Sequence, residues 1–109
     1  MLFALALIAA ATSPAGPRWT FCVAEAGQDV WISDVFAAQR KREALEAEFA
    51  ARLRARGVEA DAQCPQPLAD KTEAFNAQFT AAEFHRKLGQ TLHAAVAPLA
   101  HSPFISRAK

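Results

Sequence analysis

Hydrophobic and polar positions change their period several times along the chain. Residues 19–25, WTFCVAE, mix aromatic and β-branched types and predict a strand. Ala26-Gly27-Gln28-Asp29 is turn material, and Val30-Trp31-Ile32-Ser33 returns as a second strand, so residues 19–33 predict a β-hairpin. A lone hairpin is marginal in water and needs a layer to pack on. The next segment supplies one. Over residues 37–56 the chain turns to Ala, Glu, Arg, Lys, Gln and Leu, and Leu45, Phe49 and Leu53 recur every fourth residue as one apolar stripe widened by Ala38 and Ala50. Glu48 precedes Arg52 in the favourable order for a surface pair, and Arg52, Arg54 and Arg56 crowd the last turn, where cations complement the helix dipole. Gly57 fits the left-handed position just past the helix, with Val58 placed to close on Leu53.

Residues 58–67, VEADAQCPQP, predict a short strand or extended connection, because two prolines block helix around Cys64. A second helix begins at Leu68, with Leu68, Thr72, Phe75 and Phe79 on one face. Phe84, Leu88 and Leu92 fall on another azimuth, and Thr80-Ala81-Ala82-Glu83 reads as a capping box, which predicts a kink or a fresh start there. Beyond His93 the periodicity stops, and Pro98 and Pro103 predict a loose tail. The expected fold is α+β: a hairpin, with a third short strand at 58–64, packed on two amphipathic helices.

The first residues change the picture. From Leu2 to Ala11 the chain is apolar, too short for a spanning helix of about 20 residues but suited to a secretory core segment. Ala9-Ala10-Ala11 and Ser13-Pro14-Ala15 offer small-x-small cleavage sites, although no Lys or Arg precedes the run. The expected organisation is a signal peptide over 1–15, a small domain over 18–93 and a basic tail over 94–109. What remains after cleavage is small enough to need a staple.

That makes the two cysteines informative. Cys22 follows the bulky Trp19-Thr20-Phe21, unlike a lipid-anchored cysteine, and sits between apolar neighbours that raise a thiol pKa rather than activate it. Cys spacings such as C-x-x-C are absent, which removes the zinc reading. A Cys22–Cys64 disulfide is the favoured use, with a free thiol at either position as the runner-up.

Other chemistry is sparse. His85, His93 and His101 are eight residues apart, which on a helix separates neighbours by two turns, so they read as solvated or capping residues rather than metal ligands. Glu43, Glu46 and Glu48 lie among Arg40, Lys41, Arg42 and Arg52 as an ordinary ion-paired surface. No phosphate loop, dinucleotide fingerprint or nucleophile elbow occurs among four glycines, so neither a cofactor nor a metal is expected, and an enzyme is the weaker class. Net charge is +1, which excludes a general polyanion binder, and Gln39-Arg40-Lys41-Arg42 is too quickly balanced by Glu to argue for nucleic acid. No acidic residue follows Glu83, so the tail is wholly basic and suits weak contact with an anionic surface. Membrane contact is otherwise expected only through the signal segment. Trp19, Trp31 and Phe36 are the candidate interaction surface, since a thin hairpin with helices on one face leaves aromatic area uncovered.

The succession Phe21-Cys22, turn, Ser33-Asp34-Val35-Phe36, a helix carrying Phe49, then Cys64 and an Ala-rich helix resembles small exported domains of unknown function in Gram-negative bacteria. The resemblance spans residues 19–80. It implies an envelope or secreted location and a disulfide, and transfers no activity. The expected function is therefore a periplasmic or secreted binding module acting through hairpin aromatics on a protein or envelope partner. The alternative is a small thiol-dependent hydrolase or redox accessory using Cys22 or Cys64.

Overall fold

The computed structural model describes residues 16–98. The expected signal segment and everything beyond Pro98 lie outside the described residues. The elements in chain order are β1 (Trp19–Thr20), β2 (Val23–Ala26), β3 (Asp29–Ser33), β4 (Phe36–Ala37), α1 (Arg42–Arg54), β5 (Asp61–Gln63), α2 (Lys71–Lys87) and β6 (Thr91–Ala95). The fold is α+β, with the hairpin packed between two helices. Its main sheet runs β5-β2-β3-β6; β2 is antiparallel to β5 and β3, and β6 is parallel to β3. A minimal second sheet pairs β1 with β4, matching Trp19 to Ala37 and Thr20 to Phe36.

The first strand breaks where Cys22 must turn inward. Phe21 and Cys22 leave the ladder, and Ser33 repairs the gap: its N–H donates to the Cys22 carbonyl, and its Oγ accepts from the Cys22 N–H, both at 2.9 Å. Cys22 is then fully buried and bonded to Cys64 across a separation of 42 residues. Both thiols are consumed, so the free-thiol alternative does not describe this form of the chain. A disulfide is compatible with an oxidising, extracellular compartment.

Helix α1 buries Leu45, Phe49 and Leu53, the stripe its spacing predicts, against Cys22, Ala24, Phe36, Cys64 and Ala97. Its end is a Schellman cap. The Val58 N–H donates to Leu53 O and the Gly57 N–H to Arg54 O, both at 2.9 Å, with Gly57 at φ 85°. The charged face does more than pair ions. Arg40 and Arg52 both reach Glu48, but Glu46 accepts the Cys64 N–H at 2.9 Å while Arg42 Nε donates to the Cys64 carbonyl at 3.0 Å. One turn of helix thus clamps the backbone on both sides of the second cysteine.

Three expectations change. Helix α2 runs without a break through Thr80, because Ala81, Ala82 and Glu83 are good helix formers and the start lies at Asp70, whose side chain accepts the Thr72 N–H at 2.8 Å. His93 lies on β6 rather than on a helix, since α2 stops at Lys87. The ordered chain also passes the expected boundary at residue 94. Ala94 and Ala95 complete β6, and Ala97 and Pro98 are buried.

Replacing both cysteines with alanine, or reducing the wild type, removes the chain-entropy advantage of a 42-residue closure. The expected loss is about 4 kcal/mol, read as a large fall in the urea midpoint. Truncation after His93 should lower the melting temperature by several degrees, because it strips two residues of β6 pairing and the buried Ala97 and Pro98.

Candidate functional site

The two helices cover opposite faces of the sheet. Alternation along the strands puts Ala24, Trp31, Ala62 and Ala95 against α1, and Val23, Glu25, Val30, Ile32, Leu92 and Ala94 on the other face, under α2. The face that α2 turns to the sheet reverses the expected one. Ala74, Ala77, Gln78, Ala81 and His85, at helical spacing, form the covered seam. Phe75, Phe79, Phe84 and Leu88 are 46%, 65%, 57% and 59% exposed. Small side chains let the helix sit close to the sheet, and the bulky ones are displaced to its two flanks.

The aromatic residues singled out from the sequence are mostly engaged. Phe36 is buried in the α1 core, because β4 pairs with β1 and turns it inward. Trp31 is half-buried and stacks on His93 with ring centroids 4.8 Å apart, and His93 Nε2 lies 2.9 Å from Asp29 Oδ1. Trp19 is half-buried beneath the Lys71 ammonium, 4.7 Å from its ring centre. The exposed aromatic surface is therefore on α2, not on the hairpin.

Two clefts meet along one flank of this helix. The first, of about 700 Å³, lies between β2, β5 and α2 and is lined by Glu25, Asp61, Gln63, Arg42, Glu46 and His85. The second, of about 570 Å³, is apolar and lined by Ala77, Thr80 and Phe84. Phe21, Pro65, Ala81 and His85 line both, so polar and apolar halves form one continuous depression. Across the helix a smaller groove of about 300 Å³ runs beside Phe79 to β6.

His85 sits at the junction with its side chain 8% exposed, buried rather than solvated or capping. A second Schellman cap explains its orientation. Gly89, at φ 83°, lets the Gln90 N–H return to the His85 carbonyl at 3.1 Å. The Gln90 side chain is then beside the ring, with Oε1 2.7 Å from His85 Nδ1, while Nε2 donates to the Gly27 carbonyl at 3.1 Å. That carbonyl can only accept, so it fixes the amide, and Oε1 must accept from His85. In its neutral form the imidazole accordingly carries its hydrogen on Nδ1 and presents the Nε2 lone pair to the cleft. Glu25 Oε2 stands 3.9 Å from Nε2, beyond hydrogen-bond reach.

His85, Gln90, Glu25 and Asp61 escape sequence reading because they come from four elements or connections. One signal was present: Gly89 after the basic turn His85-Arg86-Lys87 marks a helix end. A polar Gln then stands where such caps usually place an apolar residue. Among the described residues, no group of three or more His, Cys, Asp or Glu side chains is disposed to hold a metal ion.

Substituting Gln90→Leu keeps the cap but leaves Nδ1 without its acceptor. The expected cost is about 1–3 kcal/mol, and the imidazole nitrogen shifts should lose the signature of a single Nδ1–H tautomer. An unchanged nitrogen spectrum would mean that some other group sets the tautomer.

No protein-family model, no curated protein and no solved structure matches the chain.

Proposed function

We propose that the chain is a binding module of the periplasm or the secreted space, which holds its partner along the flanks of α2. The observation that carries this reading is the reversed helix. Four large apolar side chains face outward while alanine, glutamine and histidine take the covered seam. Single apolar residues on a surface need no explanation, but large ones that border formed grooves mark interaction sites. Phe84 borders the apolar cleft on one flank, and Phe79 borders the groove on the other. The buried disulfide supports an oxidising location, and the apolar run at residues 2–11 supplies a route there.

The module reading is preferred to an enzyme because the cysteines are paired with each other and the Arg42 and Glu46 side chains hold the backbone of Cys64. The partner is a protein or an envelope component.

A photo-reactive residue placed at Phe79 or Phe84 should give a defined cross-linked adduct in living cells, whereas the same residue at Glu43 on α1 should give none. Phe84→Ser should weaken partner binding while changing stability by less than about 0.5 kcal/mol, because the ring is largely exposed. Equal labelling from all three positions, or none from any, would defeat the reading. Recovery of the protein from the soluble cytoplasm with Met1 retained would defeat its location.

A further inference from the structure

We infer, building on the binding reading above, that the depression at the C-terminal half of α2 takes a small organic cation: an N–H-bearing head group carried on an apolar stem. The polar half of the cleft is short of donors and rich in acceptors. Glu25 on β2 stands directly opposite Asp61 on β5, both on the α2 side of the sheet. Like charges at opposed cross-strand positions repel one another. In its neutral form His85 adds a third acceptor, because Gln90 engages Nδ1 and Nε2 has no hydrogen bond among the described residues, 3.9 Å from the Glu25 carboxylate. This side chain is more than nine-tenths buried, so bulk water does not freely replace the missing donor.

The protein's own charges do not fill the gap. Arg42 is the one guanidinium lining the cleft, set against the three carboxylates of Glu25, Glu46 and Asp61, and its Nε and Nη1 already donate to the Cys64 carbonyl and Gln66 Oε1. Glu46, the remaining carboxylate there, is held by the Cys64 N–H. An ammonium or guanidinium head would place N–H donors between Nε2, Glu25 and Asp61 and offset the opposed carboxylates at the same time. A metal ion is the wrong occupant, since no three such ligands are disposed around one point among the described residues. The stem has its own place. The apolar cleft of about 570 Å³ opens from the same Phe21, Pro65, Ala81 and His85 and continues to Phe84. Each half is within the size range of small-molecule sites, about 300–1,000 Å³.

The test is titration of the folded, oxidised protein with hexylammonium, hexyltrimethylammonium, hexanol and hexanoate, followed by amide and imidazole chemical shifts. Mildly alkaline solution still keeps the hexyl amine charged. Hexylammonium should move the resonances of His85, Glu25, Ala81 and Phe84. The trimethyl compound, which has no N–H, should bind more weakly, and hexanoate should not bind. Asp61→Asn should weaken hexylammonium about tenfold. The same substitution should leave the melting temperature unchanged or raised, because it removes the repulsion; a merely structural Asp61 would lower it. If hexanol bound as well as hexylammonium, or if Asp61→Asn left the affinity unaltered, the cation inference would be overturned while the apolar groove stood. If no compound moved Phe21, Ala81 or Phe84, the groove reading would fall with it.

Discussion

The bond between Cys22 and Cys64 sets the terms for everything around it. A strand that ran straight from Trp19 to Ala26 would keep its ladder intact, yet this one breaks at Phe21–Cys22 so that the sulfur can reach the α1 core. The lost ladder bonds are recovered by Ser33, and the far end of the bridge is recovered by Arg42 and Glu46. The interior otherwise relies on small residues such as Ala24, Ala74 and Ala97 beside Leu45, Phe49 and Leu53. A core this thin contributes limited burial, and restriction of the unfolded chain offsets part of the deficit.

How far the sequence reveals the fold depends on whether an element's partners are local. Helix α1 is legible because its stripe, its basic last turn and Gly57 all agree, and the Schellman hydrogen bonds follow from them. The hairpin turn and the strand before Cys64 are legible for the same reason. Strand β6 is not. Leu92 continues a helical spacing from Phe84 and Leu88, and only the parallel pairing of Thr91–Ala95 with Asp29–Ser33, about sixty residues earlier, overrides it. Thr80 likewise satisfies a capping pattern that the helix has no use for, since continuous i to i+4 bonds satisfy its backbone. The disulfide is readable from the scarcity of alternatives; the engagement of Phe36, Trp31 and Trp19 is not, because each depends on a remote pairing.

The orientation of α2 is the point at which local pattern and tertiary structure part most clearly. Hydrophobicity alone would turn the phenylalanines toward the sheet. Beneath the helix, however, the sheet already offers Val23, Val30, Ile32 and Leu92, and a seam of alanines fits those side chains at short distance. Steric fit there outweighs the transfer energy of individual rings, and the rings fall to the flanks. The grooves beside them follow directly: a helix that packs closely through small residues leaves its large ones standing over the sheet on either side.

His85 carries the same logic one step further. A leucine at this seam position would bury apolar surface with no polar group to satisfy, and would be the simpler solution for stability alone. The histidine is retained together with an apparatus that orients it: a Gly89 cap, the Gln90 amide and the Gly27 carbonyl of the hairpin turn. That chain of hydrogen bonds ties the end of α2 to the turn between β2 and β3, so the helix cannot shift along the sheet without breaking it. It also satisfies Nδ1 and leaves Nε2 without a hydrogen bond among the described residues, 3.9 Å from the Glu25 carboxylate. A purely structural tie would close at both nitrogens. Here one nitrogen is committed to the fold and the other is directed into the depression where the polar and apolar clefts meet.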